Sequence, residues 1–175
     1  MSMADATKVH EIPTFDLTRE RFAPYGQVIE PRAVMGQFID PNYDPTRNPD
    51  EAQLTLSGNG DPRLWIMQLP RRGLVFDQIA RHRRVTQCLG SLEGKEWLLA
   101  VAPPGPLDDE ARPPLDDIVG IRIPGTVVIK LHIATWHAGP HFEHEQCLFF
   151  NLENMLTRER DFHGVELGTQ CRFVV

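Results

Sequence analysis

Short apolar runs separated by polar turns make up most of this chain. Five of them have the length and composition of strands, and each ends at a cluster of Gly, Pro or Asp residues. These runs are residues 63–69 (RLWIMQL), 86–91 (TQCLGS), 96–102 (EWLLAVA), 126–132 (TVVIKLH) and 146–152 (QCLFFNL). Frequent turns between short apolar segments favour strands over long helices. The pattern therefore predicts a mostly β fold.

Helical patterning is scarce. One short helix is predicted at residues 18–22, with Thr18 as its N-cap and with Pro24 and Gly26 ending it. Residues 31–59 are rich in Pro, Asn and Asp but contain a short apolar patch at 52–56, which predicts a long surface loop followed by a strand.

Regularly spaced strands with little helix predict a β-sandwich or a small β-barrel. A barrel of this size holds one small ligand in its interior. The proline-rich acidic segment 103–114 is a candidate cover for the mouth of such a cavity. A length of 175 residues fits a single domain, so we expect residues 1–175 to form one unit.

The net charge and hydropathy of the chain limit the kinds of partner that it is expected to bind. The chain has a formal net charge of -6, which argues against a nucleic-acid surface or an anionic membrane surface. No apolar run approaches the length of a membrane span, and the polar start lacks the apolar core of a signal peptide. We therefore expect no nucleic-acid partner and no membrane partner. A local cationic pocket for a small acid remains compatible with this charge.

The three cysteines carry little sign of redox or metal chemistry. Cys88, Cys147 and Cys171 are widely spaced and form no CxxC pair. Each lies in an apolar or strand-like context, where cysteine acts as a small buried hydrophobe. This usage predicts a reducing, cytoplasmic location.

The strand at residues 126–132 has two unlike faces. Val127, Ile129 and Leu131 share one face and predict a core layer. The other face carries Lys130 and His132, about 7 Å apart along the strand. This second face is either the lining of a ligand cavity or an ordinary exposed surface, and the strand pattern by itself favours neither.

His137 is the second histidine of interest. It follows a tight segment at residues 134–136, so we expect it to open the next strand and to return to the cavity of His132, with Trp136 as a wall. The Gly139–Pro140 pair should break regular structure after that point. We therefore place His141 and His144 in a solvated loop, since HFEHE is not the HExxH zinc motif.

A cationic cluster precedes the predicted strand at 86–91. Arg81, Arg83 and Arg84 flank His82, and Gln87 follows His82 by five residues. Such runs are usually solvated turns neutralised by nearby carboxylates. The segment gains functional weight if it lies beside His132 and His137.

Four segments in matching order resemble the ureidoglycolate lyase family, formerly called ureidoglycolate hydrolase. The resemblance extends from about residue 17 to residue 161. The segments are FAPYGQVIE at 22–30, HRRVTQCLGSLEG at 82–94, WLLAVAPP at 97–104 and KLHIATWHAGP at 130–140.

This resemblance implies a cupin-like β-barrel, a double-stranded β-helix with a few short helices. It implies cleavage of (S)-ureidoglycolate into glyoxylate and urea in allantoin catabolism, a homodimer, and nickel or another divalent metal. The positions that match the family motif are His82, Gln87, Lys130, His132, Trp136 and His137. General cupins supply HxH and a glutamate in their first motif. Here the stretch HRRVTQ lacks two of those ligands, so we expect at most a weakly bound metal.

The implied reaction suggests roles for these side chains. His132 or His137 would act as the base while the other assists the departing urea, since neutral histidine suits both tasks near pH 7. Lys130 would hold the substrate carboxylate, or an arginine of the 81–84 cluster would do so. Gln87 would bind the ureido group. Alternatively, a divalent metal would bind to His82, His132, His137 and Gln87.

Two other functions remain open from the sequence. One is another cupin-like enzyme that acts on a small hydroxy acid or sugar acid, such as an isomerase or a dioxygenase. A dioxygenase needs a carboxylate beside its histidines, and Glu93 and Glu96 are the nearby candidates. The other is a cupin that binds a metabolite without catalysis. Release of urea and glyoxylate would exclude pure binding.

Overall fold

The computed structural model describes residues 9–31, 50–56 and 60–175, and strands predominate in them. Two helices of one turn each accompany the strands, α1 (Arg19–Phe22) and α2 (Thr157–Arg160). The strands are β1 (His10–Asp16), β2 (Gly26–Ile29), β3 (Pro62–Pro70), β4 (Val75–His82), β5 (Gln87–Ser91), β6 (Gly94–Ala102), β7 (Val119–Gly125), β8 (Val128–Leu131), β9 (Trp136–His141), β10 (Gln146–Asn154) and β11 (Phe162–Val174).

The five strands expected from the apolar runs are confirmed as β3, β5, β6, β8 and β10. The expected helix is confirmed as α1. The hydroxyl of Thr18 caps it by accepting a hydrogen bond of 3.1 Å from the backbone N–H of Arg21. This bond satisfies one of the free N–H groups at the start of the helix.

The strand expected at residues 52–56 is wrong, because that segment has no regular secondary structure. It is tied to the fold by single contacts instead. Thr86 donates its backbone N–H to the carbonyl of Thr55 at 2.9 Å, and Thr55 donates to the hydroxyl of Thr86 at 3.0 Å. Most of the expected surface loop, residues 32–49 and 57–59, lies outside the described residues.

The strands form two sheets. One closes into a barrel in the order β1-β11-β4-β9-β6-β7, and the other is a five-stranded sheet in the order β2-β8-β5-β10-β3. The expected fold class, a mostly β cupin-like barrel with a few short helices, is confirmed.

Strand β6 separates two apolar cores, because successive side chains of a strand point to opposite sides. Trp97, Leu99 and Val101 face the five-stranded sheet and join the core between the sheet and the barrel. Leu98 and Ala100 face the barrel interior and join a second core there. The layer between the sheet and the barrel is the one that carries the candidate site.

The three cysteines match their predicted role. Cys88, Cys147 and Cys171 are free and buried, as expected of small hydrophobes.

None of the helices in the described residues has the length and apolar content to cross a membrane.

Candidate functional site

A polar cluster ends the apolar layer between the sheet and the barrel. Cys147 and Phe149 of β10 belong to the core of this layer, and Asn151 and Glu153 continue the same face of the strand. Gln87, at the start of β5, lies beside them, and all three polar side chains are buried. Burial without hydrogen-bond partners is costly, so such a group must be satisfied internally or by a ligand.

Two histidines come together at this end of the layer. His82 is the last residue of β4, and His137 is the second residue of β9, where the sequence placed it. Their ring centroids lie 5.5 Å apart. The tight turn before β9 contains Ala134 with φ of 67°, an uncommon conformation for a residue with a Cβ. Its N–H donates to the carbonyl of His82 at 2.7 Å, which ties the turn to β4.

The tautomer of His137 follows from its neighbour. Its Nδ1 lies 3.1 Å from the carbonyl oxygen of Thr135, which can only accept a hydrogen bond, so Nδ1 carries the proton. The lone pair of Nε2 is then available to take a proton from a ligand. Burial lowers the pKa of His137, while the Thr135 carbonyl and the charge of Glu153 oppose that shift.

His82 is held neutral more strongly. Burial, and then the neighbouring His137, lower the pKa of His82 to about 3, and hydrogen bonding with the side chain of Gln87, which lies against His82, opposes the shift. Its Nδ1 is buried and has no hydrogen-bond partner in the part of the chain that the structure describes.

Gln87 has one satisfied end and one open end. Its Nε2 donates to Asn151 Oδ1 at 3.0 Å and to Glu153 Oε2 at 3.5 Å. Its Oε1 is buried with no hydrogen-bond partner among the described residues. An unpartnered acceptor and an unpartnered imidazole nitrogen at the same end of the layer are the polar atoms that a small ligand would satisfy.

A cleft opens at His137. Strands β4 and β9 pair at Ala80 and His137, and where they separate a cleft of about 540 Å³ opens between them. His137 and Ala80 line the cleft, as does Phe162, whose ring lies 6.3 Å from that of His82. A ligand of a few non-hydrogen atoms fits a space of this size.

Lys130 and His132 do not face this site, contrary to the cavity expected from the sequence. Lys130 pairs with Cys88 on the face of the sheet opposite the core, and its ammonium group donates to the carbonyl of Gln53 at 3.2 Å. The ring of His132 lies 3.3 Å from the carbonyl of Ala23. Strand alternation explains the difference, because the apolar face with Ile129 took the side toward the barrel, as expected.

Arg81 and Trp136 lie together, but away from His82 and His137. The guanidinium of Arg81 stacks on Trp136 at 4.2 Å, and its Nε donates to His163 Nδ1 at 3.2 Å. It also bonds the carbonyls of Gly105 and Asp108, so the proline-rich segment 103–114 covers this cluster. These contacts use the donors of Arg81 within the protein.

The two other arginines of the cationic cluster lie nearer to solvent. Arg83 is half-buried and forms a salt bridge with Asp109, as expected of a neutralised turn. Arg84 is exposed and lines a surface depression with Leu107 and Asp108.

His141 is buried, so its expected place in a solvated loop is wrong. It is the last residue of β9, which continues through the cis peptide bond between Gly139 and Pro140. Its ring lies 5.5 Å from Phe76 and 5.4 Å from Phe173 inside the barrel. His144 is exposed in the following turn, as expected.

The sequence reasoning missed Asn151 and Glu153. The available signal was the alternation along β10, in which two apolar residues on the inner face are followed by two polar ones. The expected strand ended at residue 152, one residue before Glu153. Glu93 and Glu96, the carboxylates considered for a dioxygenase, are exposed, whereas Glu153 is the one whose charge acts on His137.

Glu153 is already engaged with protein donors. It forms a salt bridge with Arg63, and Trp65 Nε1 donates to its Oε1 at 3.2 Å. Among the described residues, no three side chains of His, Cys, Asp or Glu are grouped to hold a metal ion. His82, His137 and Glu153 therefore do not form the facial triad of an oxygenase.

A family model described as ureidoglycolate lyase matches residues 9–173, nearly the whole chain. No curated protein matches the chain.

Proposed function

Since the chain belongs to the ureidoglycolate lyase family and its reaction is the cleavage of ureidoglycolate to glyoxylate and urea, we propose that His82, Gln87 and His137 carry out that reaction. The observation that supports this assignment is the pair of imidazoles 5.5 Å apart, in which His137 lines a cleft and His82 is buried behind it. Beside them lies an open amide oxygen.

The reaction requires one proton to move. A single carbon of ureidoglycolate carries a hydroxyl group, a carboxylate and a ureido nitrogen. A base removes the hydroxyl proton, the carbon–oxygen double bond of glyoxylate forms, and the carbon–nitrogen bond breaks with its electron pair going to the nitrogen. Urea is complete when that nitrogen gains a proton. A group that first accepts and then returns a proton serves both steps.

His137 has the features of the base. Its Nδ1 proton is held by the carbonyl of Thr135, so the lone pair of Nε2 is free to accept the hydroxyl proton. The lowered pKa keeps the imidazole neutral at pH 7, and therefore competent as a base.

Burial favours return of that proton. Burial lowers the pKa of His137, so an imidazolium at this position is destabilised by the surrounding protein. The proton therefore passes readily to the departing nitrogen. Burial and the neighbouring His137 keep His82 neutral, and His82 presents its Nδ1 to the substrate.

Gln87 binds the leaving group. Its Oε1 is an acceptor without a hydrogen-bond partner among residues 9–31, 50–56 and 60–175, and the ureido group offers N–H donors. A hydrogen bond of this kind contributes about 0.5–1.5 kcal/mol, and leaving the buried oxygen unpaired would cost about 1–3 kcal/mol.

A divalent metal is compatible with the same three side chains. The unpartnered His82 Nδ1 and Gln87 Oε1, with His137, offer two imidazoles and one amide oxygen, a donor set suited to weak binding. We propose that these residues, without His132, would hold nickel or a similar ion exchangeably. Such an ion would lower the pKa of the substrate hydroxyl.

We further propose that the substrate is the (S) enantiomer, that the enzyme serves allantoin catabolism in the cytoplasm, and that it is a homodimer. Support for a dimer comes from the outer face of β3. There Leu64 is 68 % exposed and Ile66 is 61 % exposed, and self-association would bury apolar side chains of this kind. Sedimentation of a Leu64→Glu and Ile66→Glu double variant as a monomer, against a wild-type dimer, would test this surface.

The direct test of the proposed site is turnover of ureidoglycolate by the purified chain and by His137→Gln. Wild-type protein should release urea and glyoxylate in equal amounts, and His137→Gln should lose most of that activity. Equal rates for the two proteins would refute the site. Absence of product from wild-type protein supplied with divalent metal would refute the function.

A further inference from the structure

A buried carboxylate determines which end of the Gln87 amide faces the ligand. We infer that Glu153 is a positioning residue that, together with Asn151, holds the Gln87 side chain with its oxygen toward the substrate. The inference rests on the proposed function, in which that oxygen accepts the ureido N–H. Glu153 itself acts through Gln87 and does not need to touch the substrate.

The need for such a residue comes from the symmetry of amides. A side-chain amide can turn over and exchange its donor and acceptor ends with little change in shape. Gln87 and Asn151 are both amides, so their mutual hydrogen bond of 3.0 Å could form in either direction. Neither of them sets the direction alone. A carboxylate, by contrast, can only accept hydrogen bonds.

Glu153 supplies that fixed end. Its Oε2 lies 3.5 Å from Gln87 Nε2, and it can accept from that nitrogen but cannot donate to an amide oxygen. Turning Gln87 over would place its oxygen against the carboxylate, with two acceptors facing each other. The amide nitrogen of Gln87 therefore stays on the side of Glu153, and Oε1 stays on the opposite side, where the geometry of the described residues gives it no hydrogen-bond partner.

The carboxylate is itself well held. Glu153 is 5 % exposed, and its Oε1 accepts from Trp65 Nε1 at 3.2 Å. A salt bridge to the half-buried Arg63 compensates its charge. Arg63 and Trp65 both bind Oε1, which leaves Oε2 to accept from Gln87. These contacts with β3, at the solvent-accessible edge of the sheet, hold the carboxylate that sets the direction of the Gln87 amide.

A fixed Gln87 oxygen selects for a leaving group that carries N–H. It accepts a hydrogen bond from a ureido nitrogen. With a leaving group that has no hydrogen-bond donor, the buried oxygen would stay unpaired. Loss of the fixed direction should raise KM for ureidoglycolate, because Gln87 would then present its N–H to another N–H in part of the molecules.

Three variants distinguish an effect on the direction of the Gln87 amide from an effect on side-chain packing. Glu153→Gln keeps the shape but replaces the acceptor-only group with a third reversible amide. Asn151→Asp combined with Glu153→Gln restores one acceptor-only group next to Gln87 without changing the net charge. Trp65→Phe is the matched control, because it removes a hydrogen bond to the same carboxylate on the oxygen that faces away from Gln87.

We expect Glu153→Gln to raise KM for ureidoglycolate about tenfold with a smaller fall in kcat. The double variant should return KM to within about threefold of wild type, and Trp65→Phe should leave it unchanged. In a Gln87→Leu background, Glu153→Gln should change KM no further. If Glu153→Gln alone does not fold, the double variant decides the question by whether its KM is near wild type.

Several results would overturn the inference. They are an unchanged KM in Glu153→Gln, a double variant as poor as the single one, an equal effect of Trp65→Phe, or additive effects with Gln87→Leu. If Gln87→Leu itself keeps wild-type kinetics, the proposed role of Gln87 fails as well. If Gln87→Leu is impaired while Glu153→Gln is not, the positioning role alone is refuted.

Discussion

His82 and His137 face each other from neighbouring strands with their ring centroids 5.5 Å apart, and His137 lines a cleft. Burial lowers the pKa of both histidines, and His137 lowers that of His82 further. The pair is therefore neutral at physiological pH, and burial discourages either ring from retaining a proton that it accepts.

Replacement of His137 should abolish most of the catalysis. General acid/base catalysis contributes about 10²–10⁴-fold, so kcat of His137→Gln should fall by that factor. Steady-state release of glyoxylate measures the change. The exposed histidine of the following turn provides the control, since His144→Ala should keep wild-type kcat. A similar loss in both variants would contradict the assignment.

Removal of the Lys130 ammonium should leave substrate binding almost unchanged. Its group bonds Gln53 on the outer face of the sheet, away from the two histidines. We expect KM of Lys130→Met to lie within about twofold of wild type, a change smaller than one net hydrogen bond would cause. A tenfold rise in KM would instead support the carboxylate-binding role that the sequence suggested.

Replacement of Arg81 should affect stability more than binding. Its guanidinium stacks on Trp136 and bonds His163 and two carbonyls of the 103–114 segment, contacts that lysine cannot reproduce. Arg81→Lys should lose about 1–3 kcal/mol in the free energy of unfolding, read from denaturant titration. Arg84→Lys, at an exposed position, is the matched control. Unchanged stability with a raised KM would show that Arg81 binds substrate.

Burial of His141 predicts a loss of stability in acid. Burial lowers the pKa of His141 in the folded protein to about 4, against 6.5 for an ordinary histidine. Between these values the unfolded chain binds the extra proton, so stability is fully present above pH 6.5 and falls as the pH drops toward 4. One such group contributes about 1.4 kcal/mol for each pH unit in that window.

The variant His141→Gln tests this linkage, because glutamine can still donate to the Gly73 carbonyl but does not titrate. Its free energy of unfolding should depend less steeply on pH than that of wild type between pH 6.5 and 4. His144→Ala should keep the wild-type slope. Parallel curves for wild type and His141→Gln would show that His141 does not control the acid transition.

Chelation tests the proposed metal. A weakly held ion should be removed by a chelator with loss of activity, and added nickel or manganese should restore it. In His82→Ala, restoration should need a higher metal concentration, because one of the two imidazoles is gone. Full activity in protein shown by elemental analysis to be free of metal would exclude a required ion.

Strand positions and the barrel class could be predicted from the sequence, because they depend on the local alternation of apolar and polar residues and on turn residues. Ile129 and Leu131 mark the core face of β8 without any knowledge of the partner strands. The N-cap of α1 was readable for the same reason, since Thr18 acts on a residue three positions away. His137 was placed correctly at the start of β9 from the tight turn before it.

The sequence was less informative about which residues form the site. Periodicity shows that Lys130 and His132 lie opposite Ile129, but it does not say which face meets the barrel and which is covered by residues 50–56. His141 was misplaced because a Gly-Pro pair usually ends a strand, whereas here the strand passes through it.

Local pattern thus specifies the elements, since each strand carries its own alternation and its own turn signals. The contact of Glu153 with Gln87, and its nearness to His137, arise from long-range pairing of β5 with β10 and from closure of the barrel. No short segment contains that information. The buried polar cluster exists because distant strands bring their ends to one place, where side chains must satisfy each other or a ligand.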